Sequence, residues 1–268
     1  MLKVDLRPAH LAIGSQTIHY GWVIVAIATT MLLVTSSVRF ATAALVPYLS
    51  DPVSGFGWSY AAISFAFSLQ WIVLAIMSPY VGLIGDRYGI RRLLLLGILL
   101  FIAGMLLIGT MTNLWQFYLY FGLLLGIASA IFGILLVSGV TLWFRSHLGL
   151  ALGAVWSFQS IGVIAHIFLI GAAFDQLGMK WVFWLPGVLG GALILLLAKF
   201  FYNDPAEIGL RPLGASRDEP IEQLQNDETS KIRARVFLQR AQRTATFWNL
   251  INIHCWGCMG HQIINVLV

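Results

Sequence analysis

Six long apolar segments constrain the fold of this chain more than any other feature of its sequence. Each holds about 20 residues with almost no charge, the length that an α-helix needs to cross about 30 Å of hydrocarbon. They run from about 21 to 46, 60 to 81, 93 to 110, 115 to 140, 148 to 171 and 181 to 201. With 59% hydrophobic and 10% charged residues, the chain has too little polar surface for a soluble domain. The sequence therefore predicts an all-α membrane protein.

A polar stretch after the sixth apolar segment divides the chain. Residues 1–201 are predicted to form a six-helix transmembrane bundle, and residues 202–246 form a loop rich in Asp, Glu, Arg, Gln and Pro. Residues 247–268 are apolar again and predict the start of a seventh transmembrane helix, cut short at the end of the chain. Basic and apolar residues alternate at helical spacing over 227–243, which favours an amphipathic helix on an anionic membrane surface. A solvated charged linker is the alternative.

The basic residues predict the orientation of the bundle. Fourteen of the sixteen Lys and Arg residues fall on one side of the membrane if the N-terminus is cytoplasmic. Only Lys180 falls on the other side, and Arg39 lies within the first apolar segment. The positive-inside rule therefore predicts a multi-pass protein of the plasma or inner membrane with a cytoplasmic N-terminus. Because the topology accounts for the net charge of +5, no nucleic-acid partner is expected.

A short motif occurs twice. The pattern G-x3-D-x2-G-x-[RK] is found 89 residues apart, at Gly82, Asp86, Gly89 and Arg91 and again at Gly171, Asp175, Gly178 and Lys180. The six predicted helices therefore divide into two sets of three. Since three is odd, the second set starts from the opposite side of the membrane, which predicts Asp86 in a cytoplasmic loop and Asp175 in an external loop. Inverted repeats of this kind recur in secondary transporters.

The first copy of this motif also carries a family resemblance. The stretch Gly82–Arg92 resembles the signature loop between the second and third helices of the major facilitator superfamily. Further stretches are similar to the monocarboxylate and oxalate/formate exchanger branches, namely Gly21-Trp22, Phe56–Ser59, Trp143–Arg145, Gly149–Gly153 and Asp204–Pro212. The resemblance covers nearly the whole chain, but the family would continue for about five and a half more helices.

The resemblance implies a mechanism and a latch. Members of the family move small molecules by alternating access between two six-helix halves. The motif residues would hold the two halves together on the cytoplasmic side in one state and release them in the other. This implied latch consists of Gly82, Asp86, Arg87, Gly89 and Arg91.

Arg39 is the first candidate for a substrate-binding residue. It is the one permanently charged residue inside a predicted span, and burying such a charge is costly unless a partner or water compensates. An anionic substrate is the implied partner. Because Arg39 lies about 26 Å along the helix from Trp22, snorkelling to the outer surface is the alternative.

The predicted substrate site also includes Gln159, His166 and Tyr120. Gln159, Gly162 and His166 share one face of the fifth predicted helix, which either lines a central cavity or packs against the other half. Tyr120 on the fourth helix is polar enough to line a cavity, although a structural role is the alternative. All eleven carboxylates lie in loops or at helix ends, so a proton-coupled mechanism would need His166 or a group from the other half.

No metal, cofactor or enzymatic site is expected. His254, Cys255, Cys258 and His261 resemble a zinc-ligand spacing, but they fall in an apolar segment and spread around much of a helix. The sequence has no nucleophile-and-base motif, phosphate loop or dinucleotide fingerprint.

The sequence thus predicts half of a secondary transporter for a small organic anion such as a monocarboxylate. Symport with protons or antiport against a counter-anion is expected, and the mechanism would need the other half or a second copy of the chain. Two alternatives remain: an inert truncated half, and a membrane receptor or scaffold that acts through its basic cytoplasmic loop.

Overall fold

The structure is a computed structural model and describes residues 10–13, 16–41, 46–53, 55–216, 221, 236, 239–253 and 256. Within these ranges, the side chains of residues 10–18, 37–41, 86, 160, 165 and 169–175 are not described. The chain forms two compact units, Met1–Glu222 and Gln223–Val268.

The first unit is helical apart from a short β-hairpin. Strands β1 (His10–Ile13) and β2 (Gln16–His19) pair antiparallel before the first helix. The helices are α1 (Tyr20–Ala41), α2 (Val46–Ser50), α3 (Tyr60–Tyr88), α4 (Ile90–Ile108), α5 (Leu114–Leu142), α6 (Leu148–Leu177) and α7 (Met179–Ala198). Two of them contain π-helical stretches, Tyr118–Leu124 in α5 and Pro186–Gly190 in α7.

Five of these helices, α3 to α7, are long and apolar enough to cross a membrane. The apolar part of α1 that can be assessed is shorter, Tyr20–Ser36. The described part of α1 reaches Ala41, and α2 begins at Val46. Residues 42–45 lie outside the described residues, so the expected end of the first span at residue 46 stays a prediction. The structure therefore supports a membrane protein whose membrane-length elements are helices.

Helix α5 is the most buried of the five long helices, with 56% of its most apolar window buried inside the protein. It packs against α1, α3 and α4. Helix α6 packs most extensively against α1, and α4 packs against α7 as well as α5. Fully buried aromatic side chains fill the centre of the bundle, among them Phe101, Phe117, Phe121, Phe132 and Trp143. The core is therefore built around α5.

Both glycine-aspartate motifs end long helices, which corrects the prediction that Asp86 and Asp175 lie in loops. Helix α3 continues through Asp86 to Tyr88, and α6 continues through Asp175 to Leu177. One residue with positive φ then starts the next helix, Gly89 with φ +88° and Gly178 with φ +76°. Because glycine adopts this conformation without a steric penalty, each helix extends right up to its glycine.

The segment 199–216 closes the end of the bundle where α3 meets α4, which we call the motif end. The Trp143 Nε1–H donates to the Tyr202 carbonyl at 3.0 Å, and the Tyr20 hydroxyl donates to the Phe200 carbonyl at 2.9 Å. The Leu213 N–H donates to the Trp143 carbonyl at 2.8 Å. A 3₁₀ turn, Pro205–Ile208, lies between these contacts. The segment is therefore tied to the ends of α1 and α5.

The second unit is described only in part. Residues 239–241 and 245–253 are helical, and so are 236 and 256. Most of the expected amphipathic helix at 227–243 and of the expected seventh helix at 247–268 lies outside the described residues. The boundaries at 201 and 246 stay predictions.

Candidate functional site

The motif turn holds α3 and α4 together at one residue. The Gly89 N–H donates to the Gly85 carbonyl at 2.9 Å, which closes the last turn of α3. A Cβ at Gly85 would lie 3.0 Å from Leu135 of α5, so this glycine allows close packing. A Cβ at Gly82 or at Gly89 would meet nothing within 4 Å. Gly82 is therefore on a side of α3 that nothing in the described structure contacts closely.

The basic side chains of the motif point to two different neighbours. The Arg87 guanidinium lies 5.4 Å from the ring centre of Tyr88 and is exposed. The Arg91 Nη2 donates to the carbonyl of Lys199 at 3.4 Å, at the C-terminal end of α7. A cation is favourable there because the last carbonyls of a helix carry partial negative charge. The Asp86 side chain lies outside the described residues, so its part in the implied latch stays a prediction.

The predicted polar face of α6 is turned toward α1 at two of its three positions. Gln159 is buried, and its Nε2 donates to Ser36 Oγ of α1 at 2.5 Å. A Cβ at Gly162 would overlap the side chain of Leu33, also in α1. This part of the face thus packs within the same bundle, an arrangement that differs from both interpretations of the sequence.

Two polar atoms on α6 have no hydrogen-bond partner among the described residues. They are Oε1 of Gln159 and Nε2 of His166, and both are buried. Seven residues separate them, roughly 10 Å along a helix. An unpaired buried polar atom costs free energy, so each needs a partner, which water, a ligand or a side chain outside the described residues would supply.

Tyr120 lies in the π-helical stretch of α5. Its carbonyl accepts the N–H of Leu125, and its half-buried side chain packs against the apolar core. No hydrogen bond between described residues joins Tyr120 to Gln159 or His166. The structure therefore does not bring these three candidates together directly.

Gln70 of α3 is a buried polar residue that the sequence analysis did not identify. It is 1% exposed, and its Nε2 donates to the Phe121 carbonyl in the π-helical stretch of α5 at 3.4 Å. Its Oε1 is buried without a partner in the described part of the chain. A signal was present, because Gln70 and Gln159 are 89 residues apart, the spacing of the repeated motif. π-Helical stretches are often found at functional sites.

The remaining candidates fall outside the described side chains. Helix α1 includes Arg39, but the structure does not describe its side chain. The possible zinc ligands, His254, Cys255, Cys258 and His261, are likewise outside the described residues. Among the residues that are described, no group of three His, Cys, Asp or Glu side chains could hold a metal ion.

Comparison with known proteins identifies a family. The sequence profile of the Major Facilitator Superfamily matches residues 28–268. The MFS-type transporter pytF of Aspergillus terreus is 31% identical over 138 residues, which cover 52% of this chain and 47% of that protein. The oxalate:formate antiporter of Oxalobacter formigenes is 25% identical over 190 residues, which cover 71% of this chain and 44% of the antiporter. The uncharacterized MFS-type transporter YhjX of Escherichia coli is 25% identical over 226 residues, or 83% of this chain and 50% of that protein.

These matches agree with the features described above. The chain spans about half the length of the curated relatives it matches. The matched region contains the motif turn, the five membrane-length helices α3 to α7 and both buried glutamines. The family predicted from the motif is confirmed. The chain belongs to the major facilitator superfamily.

Proposed function

We propose that the complete protein is a secondary transporter that moves a small organic anion, such as a monocarboxylate, by alternating access. Membership of a family of transporters supports the general activity. The similarity to an oxalate:formate antiporter over 71% of this chain supports a carboxylate substrate. Exchange against a second anion is then the simplest coupling, and proton coupling would use His166.

The observation that carries this proposal is the pair of unpaired polar atoms on α6. Gln159 Oε1 and His166 Nε2 are buried in a predominantly apolar helix of membrane length. Polar groups at such depth are costly and usually mark a substrate or ion pathway. A carboxylate needs hydrogen-bond donors and a cation around it. The unpaired Gln159 Oε1 is an acceptor, so it would take a hydrogen bond from water or from a protonated carboxyl group. We assign the donors to a carboxylate to the second Nε2–H of Gln159, to His166 and to the Tyr120 hydroxyl, and the cation to Arg39.

The bundle is proposed to consist of two inverted three-helix repeats, α1, α3 and α4 followed by α5, α6 and α7. The two positive-φ glycines, Gly89 and Gly178, stand at equivalent helix junctions and support this arrangement. The packing pairs support it as well, because α1 with α6 and α5 with α3 would be equivalent contacts. The substrate of such a transporter binds near the midplane, where the repeats meet.

Helices α3 and α6 are proposed to face the second six-helix half. Only 17% of the most apolar window of α3 and 25% of that of α6 is buried, less than in α4, α5 or α7. Small or polar residues recur on their exposed sides, at Ser64 and Ser68 in α3 and at Gly149, Gly153 and Ser157 in α6. Lipid does not require small residues, whereas close helix packing does. A second half, or a second copy of this chain, supplies that contact.

The motif residues are proposed to act as the latch on the cytoplasmic side. Gly82 is open to a partner helix, and Arg87 is exposed beside it. Arg91 would keep α4 and α7 together through the Lys199 carbonyl. The distribution of Lys and Arg supports a cytoplasmic motif end and N-terminus in the cell membrane.

The test compares uptake of labelled oxalate, formate and lactate by the full-length protein in proteoliposomes with that of Arg39→Ala. We expect the substitution to reduce carboxylate uptake by at least about tenfold, because one buried charge–carboxylate contact is worth more than 1.4 kcal/mol. Lys180→Ala removes an exposed cation and serves as the control. Uptake that Arg39→Ala leaves unchanged would exclude Arg39 as a substrate ligand.

A further inference from the structure

Gln70 and Gln159 occupy equivalent positions in the two proposed repeats. They are 89 residues apart, and each is buried against a neighbouring helix, Gln70 against α5 and Gln159 against α1. Each Nε2 donates a hydrogen bond across that helix pair, and each Oε1 is buried without a partner in the described structure. The two side chains thus lie in similar buried positions between two helices, but Gln70 donates to the Phe121 backbone carbonyl and Gln159 donates to the Ser36 hydroxyl.

Glycine contacts beside the glutamines relate α1 to α5. A Cβ at Gly126 of α5 would lie 3.0 Å from Val73 of α3, and one at Gly162 of α6 would overlap Leu33 of α1. Val73 and Gly162 are 89 residues apart and therefore correspond in the two repeats. The two contacts are then equivalent if Leu33 of α1 corresponds to Gly126 of α5, which sets the spacing between these two helices at 93 residues. The same spacing pairs residues that are equally buried: Ile24 with Phe117, Ala28 with Phe121, and Leu32 with Leu125.

This correspondence makes Ser129 of α5 the counterpart of Ser36 of α1. Gln159 bonds to its serine, Ser36, whereas Gln70 bonds to the Phe121 backbone carbonyl instead. Ser129 is half-buried, and its hydroxyl makes no hydrogen bond with another described residue. One repeat therefore has its glutamine–serine bond formed, whereas in the other Gln70 Nε2 is bonded to the Phe121 carbonyl and Ser129 is not bonded to Gln70.

We propose that Gln70 and Ser129 are positioning residues of the transport step. The Gln159–Ser36 bond stabilises the state seen here, and a Gln70–Ser129 bond replaces it when the transporter opens to the other side. The inference rests on the alternating access and inverted repeat proposed above. Because the repeats stand in opposite orientations, exchanging their conformations exchanges the side of the membrane to which the site is open.

The test measures the balance between the two states without using substrate. A single cysteine replaces Leu83, an exposed residue near the motif end of α3, in full-length protein whose native cysteines, including Cys255 and Cys258, have been replaced. The rate of its labelling by a membrane-impermeant maleimide is then measured in proteoliposomes. Removing one neutral hydrogen bond should shift a two-state equilibrium by about fivefold.

Two serine variants should shift the labelling rate in opposite directions. Ser36→Ala weakens the state seen here, and Ser129→Ala weakens the opposite state, so each changes the rate by up to about fivefold with opposite sign. The double variant should return to the starting rate. Ser138→Ala is the matched control, because its hydroxyl bonds to Leu135 within α5 and its removal should leave the rate unchanged.

Shifts of the same sign, or no shift in Ser129→Ala, would overturn the proposal. A double variant that fails to return toward the starting rate would overturn it too, since independent structural damage would add rather than cancel. Opposite shifts in a protein that transports none of the tested carboxylates would support the inference and overturn only the proposed substrate.

Discussion

Glycine residues set how closely the helices approach each other at the candidate site. Gly162 brings α6 against α1 beside the Gln159–Ser36 bond, and Gly126 brings α5 against α3 beside Gln70. A hydrogen bond between side chains on two helices requires the helix axes to be close and fixed. The polar contacts therefore depend on these neighbouring glycines.

Gly162→Ala should destabilise the full-length protein by about 1–3 kcal/mol, because its Cβ would overlap Leu33 and force the helices apart. Thermal unfolding in detergent measures the loss. Combining it with Leu33→Ala should recover part of the stability by making room. Gly133→Ala in α5 is the control, since a Cβ there meets nothing within 4 Å, and it should be neutral or stabilising by up to about 1 kcal/mol. Equal losses in both glycine variants would contradict the packing explanation.

At the residue level, the sequence predicts which polar residues are unusual better than which residues they contact. Gln159 and His166 were identified because polar residues on an apolar helix are conspicuous. The contact of Gln159 with Ser36 was not predictable, because the two residues are 123 positions apart and belong to different helices. Gln70 was missed although its spacing from Gln159 equals that of the repeated motif. The repeated motif consists of glycines and charged residues only, so it includes neither glutamine.

At the scale of elements, hydrogen bonds join the N-terminal end of α1 and the C-terminal end of α5 to the segment 199–216. Trp143 is fully buried and uses both its side-chain N–H and its backbone carbonyl to hold this segment. The sequences of Trp143–Arg145 and Asp204–Pro212 both resemble one family, but only the folded structure shows that the two segments lie close together. The position of the segment 199–216 depends on contacts between parts of the chain that are distant in sequence, whereas the helices themselves follow from local apolar patterns.

Trp143→Phe should loosen the segment 199–216 while leaving the helices intact. Phenylalanine keeps the apolar ring but leaves the Tyr202 carbonyl without its donor, a loss of about 1–3 kcal/mol for a buried group. Amide hydrogen exchange at Leu213 should therefore become faster by about tenfold or more. Trp115→Phe, at an exposed position of the same helix α5, is the matched control and should leave exchange at Leu213 unchanged. Unchanged exchange in Trp143→Phe would show that the other contacts suffice.

Where the structure describes both sides of a helix end, the boundary was predictable to within a turn if apolar sequence meets polar sequence there, but not at the motifs. Charged residues at Asp86 and Arg87 suggested a loop, yet α3 continues to Tyr88. The change from apolar to charged residues indicates where the chain leaves the membrane. The helix continues beyond that point and ends only where the backbone leaves the helical conformation. Gly89 supplies that end through its positive φ.

For the whole molecule, the uneven burial of the long helices distinguishes two kinds of exposed surface. Helices α3 and α6 are the least buried, and the exposed side of α3 carries serines that lipid does not require. Leu99 on α4 is also exposed, at 65%, but it is a large apolar residue suited to lipid. Some exposed residues of this chain are therefore expected to contact lipid, and others to contact the proposed second half.

Tryptophan substitution should separate these two surfaces. Ser68→Trp places a large ring on the small-residue side of α3, where the proposed second half leaves no space, so folded yield or transport should fall by roughly tenfold or more. Leu99→Trp places the same ring toward lipid and should change either quantity by less than about twofold. Both are measured in the full-length protein by size-exclusion chromatography and uptake in proteoliposomes. If Ser68→Trp were tolerated as well as Leu99→Trp, α3 would face lipid, and the second half would have to pack elsewhere on the bundle.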